Sequence, residues 1–237
     1  MAAQPDAEPR PRVPLTKQRV LRTAVRIADA RGITAVTMRN LAQELEVEAM
    51  SLYHHVPGKD QLLDGMAEAV VTEINTAVGL DATPPADPPP PADGWKAVVR
   101  GRILAAREVM LNHPWAPGVV GSRSTMTPAA MRYFDALTGQ LLSGGLSPDL
   151  VHHGLHALGS RALGFTLELF QAADGGAPDP DAAEMMQQLA QQFPNVVAVL
   201  SAASHDGETT LGWCDDQAEF EFGLDLVLDG LERLAAR

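Results

Sequence analysis

The sequence predicts an all-α fold, and three observations carry that prediction. Apolar residues recur three and four apart through most segments, as on one helix face. Residues that favour helix starts (Thr16, Thr37, Pro128, Ser147) open those runs, and glycines such as Gly32 and Gly144 close them. Sustained alternation of apolar and polar residues, the mark of a half-buried strand, is missing. At 237 residues and 46% hydrophobic content, the chain can form one large domain or two modest ones with real cores.

The first helix follows Thr16, a good N-cap, and carries Val20, Ala24, Ile27 and Ala28 on one stripe. Arg31 in its last turn and Gly32 just beyond form the C-terminal signal. Thr37 caps a second helix to about Glu44, with Leu41 and Leu45 inward. A third, short helix runs from about Glu48 to His55, turns Leu52 and Val56 inward, and ends at Pro57-Gly58. The fourth, about 60–78, opens with Asp60, where the helix dipole favours an anion, and carries Leu62, Leu63, Met66, Val70 and Ile74.

Residues 81–94 read DATPPADPPPPADG. Proline donates no backbone hydrogen bond and favours polyproline II, so this is a semi-rigid spacer. The expected organisation is a disordered arm (1–13), a first domain (14–78), a Pro-rich linker (79–94) and a second domain (95–237). Beyond the linker a helix from Trp95 to Leu111 uses Val98, Val99, Ile103 and Leu104, and His113-Pro114-Trp115 breaks it. Pro128 opens a helix to about Leu142, stopped at Gly144-Gly145. Ser147-Pro148-Asp149 starts another that reaches Phe170. A helix at 181–193, a short apolar segment from Asn195 to Ala203, and a last helix from about Asp216 to Ala235 complete the chain.

The formal charge of −12 argues against a polyanionic partner until it is divided. Residues 1–80 hold nine Lys/Arg against ten Asp/Glu, whereas 81–237 hold nine against twenty. Within 10–39, eight cations (Arg10, Arg12, Lys17, Arg19, Arg22, Arg26, Arg31, Arg39) face Asp29 alone. Exposed charges act over about 8–10 Å at physiological salt, so a phosphate would respond to this patch rather than to the distant acidic body. The single cysteine, Cys214, allows no intrachain disulfide. With no apolar signal region behind Arg10 and Arg12 and no bilayer-length apolar run, a cytoplasmic protein is expected.

Two short helices joined by a tight turn, the second with small and polar residues outward, meet the needs of a helix-turn-helix. The first crosses the DNA backbone and the second enters the major groove. The segments ARGITAVTMRNLA and LYHHVPGKDQLLD make the match specific: residues 16–74 resemble the DNA-binding domain of the TetR family of bacterial repressors. GWKAVVRGRILAAREVMLNHPW, GLSPDLVHHGLHALGSRALGF and FEFGLDLVLDGLERL are similar to the helical C-terminal domain of its tetracycline-repressor subgroup. The resemblance assigns DNA contacts to Thr37, Met38 and Arg39, to Ala49, Met50, Ser51, Tyr53, His54 and His55, and to Lys59. Hydroxyls and cations suit phosphates, Ala49 and Met50 suit thymine methyls, and Ser51 or His54 suits base edges. One departure stands out: Glu46 occupies the turn position that commonly holds a left-handed glycine, at a cost of roughly 1 kcal/mol.

The resemblance further implies a homodimer through helices of about 149–170 and 216–235, presenting two recognition helices to a near-palindromic operator. In the last helix Phe220, Leu224, Val227, Leu228, Leu231 and Leu234 form one stripe, while Phe222 and Leu226 start another. It also implies an effector pocket for an unidentified small molecule, with Trp95, Met110, Trp115, Phe134, His152, His156, Phe165 and Trp213 as candidate lining. Where the tetracycline repressor has a magnesium-holding histidine before Gly-Thr-Arg, this chain reads VVGSR, which weakens a claim for tetracycline itself. His113 is read as structural.

The expected function is thus a ligand-responsive repressor with no cofactor and no bound metal. A metal sensor using His152, His153 and His156 is the alternative, although His152 and His156, the pair at i and i+4, are incomplete as a site without carboxylate or thiolate partners. An enzyme ranks last, because the chain has no nucleophile elbow, Gly-rich phosphate loop or metal quartet.

Overall fold

The computed structural model describes residues 14–80, 94–159, 191–195, 197–198 and 216–237. Its helices are α1 (Lys17–Arg31), α2 (Met38–Leu45), α3 (Ala49–Tyr53), α4 (Lys59–Ala77), α5 (Gly94–Asn112), α6 (Ala116–Gly121), α7 (Pro128–Ser143), α8 (Pro148–Leu158) and α9 (Asp216–Ala235). A 3₁₀ turn, Ile33–Ala35, links α1 to α2, and no strand occurs among the described residues. The fold is all-α. The arm, the proline-rich segment 81–93, the far part of the helix expected to reach Phe170, and most of 160–215 lie outside the described residues.

The helix starts follow local chemistry. The hydroxyls of Thr16, Thr37, Thr127 and Ser147 each accept a hydrogen bond from the backbone N–H three residues on, and Pro128 and Pro148 occupy first helical positions. Two elements depart from the sequence reading. The 3₁₀ turn fills what reads as an irregular link, and α6 follows directly on the His-Pro-Trp break. Pro117 sits in the first turn of α6, where its missing N–H costs nothing.

Helices α1–α7 belong to one compact unit, while α8 and α9 belong to a second. In the first, α4 is the shared element, contacted by α1, α5, α6 and α7. That role explains why it buries more than the one stripe visible in sequence. Leu62, Met66, Val70 and Ile74 are joined by Ala67, Val71 and Asn75, one position on, while Leu63 is only half-buried. Val71 clusters with Ala129, Ala130 and Val120. Gly65 lets α1 come close, because a Cβ there would lie 2.6 Å from a methyl of Leu21. The Trp95 indole lies directly on Gly144, leaving no room for a side chain at that glycine. Tyr133 is fully buried and donates from its hydroxyl to the Arg102 carbonyl at 3.2 Å, while the Arg102 guanidinium donates to the Ala136 carbonyl at 2.8 Å. Burial pushes the Tyr133 phenol above its ordinary range, with Arg102 pulling the other way. Burial also lowers the guanidinium, which Tyr133 in turn raises.

In the second unit α8 packs on α9, where Phe220, Leu224, Leu228 and Leu231 are buried. A Cβ on Gly154 would stand 3.1 Å from Leu231, so this glycine permits the close approach. Leu234 does not join the buried stripe as its spacing suggests. It is exposed together with Phe222 and Leu226, and these three share one four-residue spacing with Gly230.

Candidate nucleic-acid interface

The interface begins at a turn. At the end of α2, Glu46 adopts the left-handed conformation (φ 55°, ψ 44°), the one non-glycine residue with positive φ among the described residues. Its N–H donates to the Gln43 carbonyl at 3.2 Å and that of Val47 to the Ala42 carbonyl at 3.0 Å, the two bonds of a Schellman closure. Glutamate therefore does what glycine usually does, with strain of about 1–2 kcal/mol for its Cβ. This closure sets the angle at which α3 leaves α2.

Helix α3 is a little over one turn, and its spacing divides it cleanly. Leu52 and Val56, four apart, are fully buried, and so the opposite side carries Ala49, Met50, Tyr53 and His54 exposed, with Ser51 and His55 half-buried. Met50 is 72% and Tyr53 43% exposed, which removes Tyr53 from the core. An apolar side chain as bare as Met50 has no folding role that the described residues reveal.

Helix α2 supplies the second part. The Thr37 hydroxyl caps Asn40 N–H at 3.1 Å and keeps its own proton free to donate to a phosphate. Met38 is half-buried, and Arg39 points into solvent in the first turn, where helix N–H groups and dipole already favour an anion. Asn40, which sequence reasoning passed over, donates from its amide to the Ala35 carbonyl at 2.8 Å and so braces the 3₁₀ turn against α2. Lys59, exposed at the start of α4, follows Pro57-Gly58.

The basic patch divides in two. Arg26 pairs with Glu44 at 2.8 Å and Arg31 with the same carboxylate at 3.7 Å, so these arginines hold α1 to α2. Arg39 and Lys59 carry no ion pair among the described residues. Free cations at two helix starts beside bare side chains make a surface suited to phosphates and a groove.

Behind this edge α4 is tied down along its length. Arg123 reaches Asp64 at 3.2 Å and Asp60 at 3.9 Å. The Glu68 carboxylate accepts from the Ala129 N–H at 3.2 Å, and the buried Asn75 amide donates to the Ala129 carbonyl at 3.0 Å. Glu68 thus caps α7 from another helix. Arg123 ends the VVGSR run, and its partners lie some sixty residues away.

The candidate pocket residues do not share one environment. Met110 and Trp115 are buried, Trp95 and Phe134 half-buried, all within the first unit. Trp115 spends its indole N–H on Asp29 of α1 at 2.6 Å. His152 and His156 are exposed on α8, their rings 4.6 Å apart, and Phe165 and Trp213 lie outside the described residues. The His153 ring comes within 3.8 Å of Asp149, both largely exposed. No group of three or more His, Cys, Asp or Glu among the described residues is arranged to hold a metal ion, which leaves the metal-sensor reading without geometric support. No described helix is long and apolar enough to cross a membrane.

Comparison with known proteins bears on the same segments. Residues 20–66 match the bacterial regulatory proteins of the tetR family, and residues 87–235 match the tetracyclin repressor-like C-terminal domain. The chain is 32% identical over 233 residues to the HTH-type transcriptional repressor DrrR1 of Streptomyces coeruleorubidus, covering 96% of this chain and 81% of that protein. It is 26% identical over 220 residues to the class C tetracycline repressor protein of Escherichia coli, covering 93% and 92%. Its fold is similar to that of ActR from Streptomyces coelicolor in complex with actinorhodin, with TM-score 0.67, 26% identity, and coverage of 95% and 100%.

Proposed function

Because the chain belongs to the tetR family of bacterial regulatory proteins, we propose that it is a transcriptional repressor that binds a palindromic operator as a homodimer and is released by a small-molecule effector. The observation that carries the reading is the edge made by Thr37, Met38, Arg39, Ala49, Met50, Ser51, Tyr53, His54, His55 and Lys59, whose two cations have no ion-pair partner among the described residues. Arg39, Lys59 and the Thr37 hydroxyl position the duplex through phosphates, while the α3 side chains read the major groove.

Dimerisation through the helices near 149–170 and 216–235 is supported by the row Phe222, Leu226 and Leu234, which lies 62%, 53% and 48% exposed in the single chain. An apolar row of this kind is a surface that a second copy would cover. Two α3 helices then lie about 34–36 Å apart, or a multiple of that, matching half-sites of a palindrome. Effector release follows from linkage: a ligand that prefers the DNA-incompetent dimer draws the population from the operator. ActR in complex with actinorhodin is a precedent for such a ligand, and Trp95, Met110 and Phe134, buried or half-buried, remain the described candidates to line a pocket, since Trp115 spends its N–H on Asp29.

The test is direct. The full-length chain is used to select duplexes from a random pool, and binding to the winner is measured against salt. A palindromic winner with steep salt dependence supports the proposal. Failure to enrich any sequence at low salt sinks it.

A further inference from the structure

The His-Pro-Trp turn between α5 and α6 reaches back to the DNA-binding head. His113 Nδ1 lies 2.7 Å and Trp115 Nε1 2.6 Å from the same oxygen, Asp29 Oδ1 of α1. On the other side of the ring, His113 Nε2 lies 3.3 Å from Glu73 of α4. His113 is buried, Trp115 is buried, and their rings meet edge-on at 6.0 Å. One turn therefore grips both α1 and α4, which flank the α2–α3 pair in sequence. Asp29 belongs to the stretch matched by the tetR description and Trp115 to the stretch matched by the C-terminal description. The covalent route between them runs through the linker; this contact is a second route.

Local helix chemistry does not explain Asp29. It stands in the last turn of α1, where the dipole disfavours a carboxylate by about 0.3–1 kcal/mol. Its use is tertiary. A buried indole N–H without an acceptor loses about 1–3 kcal/mol, and a carboxylate is the strongest acceptor available to it.

We infer that Asp29 is a positioning residue for DNA binding: by accepting from Trp115 and His113 it fixes the set of α1, and through the 3₁₀ turn and α2 the set of the recognition edge. This rests on the regulator reading above and adds a specific joint to it. Release of the joint frees the head to leave the DNA-competent orientation, so its loss weakens binding without touching any residue at the edge.

The experiment uses the full-length chain and a duplex that it has itself selected from a random pool. Asp29→Ala and Trp115→Phe each weaken binding about ten-fold, the scale of one charge-assisted hydrogen bond. The double variant is no weaker than Asp29→Ala alone, because Trp115→Phe removes one of the two bonds that Asp29→Ala already breaks. Asp29→Asn, whose amide oxygen still accepts from the indole, recovers most of the affinity. The Trp115 indole N–H resonance moves in Asp29→Ala and stays close to its original position in Asp29→Asn. A merely structural role would lower the melting temperature of Asp29→Ala while leaving affinity within about two-fold, well under the energy of such a bond, and that result overturns the inference. If the wild-type chain selects no duplex, the regulator reading fails by itself. The joint is then decided by amide hydrogen exchange over residues 24–31, where acceleration in Asp29→Ala supports it and unchanged exchange overturns it.

Discussion

Along the proposed recognition edge Arg39 and Lys59 stand without ion pairs among the described residues, and Met50, Tyr53 and His54 are bare above two buried anchors, Leu52 and Val56. Along the boundary of α4 with α5–α7 the polar groups are largely spent. Asp64 meets Arg123, Glu68 and Asn75 meet the backbone of Ala129, and Glu73 meets His113. The difference separates two uses of polar side chains. Groups that hold a fold in place are bonded within it, whereas groups kept for a partner stay solvated and unpaired, so that the partner's phosphates need displace only water and ions.

The contrast breaks if a change at one region behaves like a change at the other. The largest effect is expected from Leu52→Ala, which empties the anchor beneath α3. It should cost about 2–5 kcal/mol of stability by chemical denaturation and abolish duplex binding with it. Asn75→Ala comes next. It removes the buried side-chain bond to the Ala129 carbonyl and should cost about 0.5–1.5 kcal/mol, lowering the melting temperature while the salt slope of the remaining binding stays the same. Arg39→Ala and Lys59→Ala should do the reverse: each keeps stability within about 0.5 kcal/mol of the parent and removes about one unit from the slope of log K against log salt. A large loss of stability in either would show that these cations belong to the fold after all.

The smallest expected effect sharpens the comparison at its boundary. Glu46→Gly relieves a left-handed Cβ but loosens the unfolded chain, so stability should change by no more than about 1 kcal/mol. Duplex binding should tighten, since a carboxylate leaves the neighbourhood of the phosphates. Weaker binding at unchanged stability would mean that Glu46 makes a favourable contact with DNA.

What the sequence made legible was local. The caps at Thr16, Thr37 and Ser147 depend on residues three apart, and the buried pair Leu52 and Val56 on residues four apart; both are visible in one window, as is Pro128 at a helix start. The position of Glu46 was readable from the family resemblance, and its left-handed backbone is found where glycine would normally stand. What stayed hidden was tertiary. Asp29 finds His113 and Trp115 across 84 and 86 positions, and Arg123 finds Asp64 across 59, separations at which no periodic pattern survives. Arg26 and Arg31 look like part of a DNA patch because their partner, Glu44, lies on the next helix. Trp115 reads as pocket lining because an aromatic residue in a predicted core gives no hint that its N–H is taken. The second stripe of α4 has no apolar signature in sequence, because Ala67 is small and Asn75 polar, leaving Val71 alone between them.

The most direct test of the recognition edge is hydrogen–deuterium exchange of the full-length chain with and without its selected duplex. The account predicts protection on DNA binding concentrated in residues 37–59, with the α9 segment 216–235 unchanged. Protection confined to α9, or to the acidic remainder with 37–59 unaffected, would contradict it.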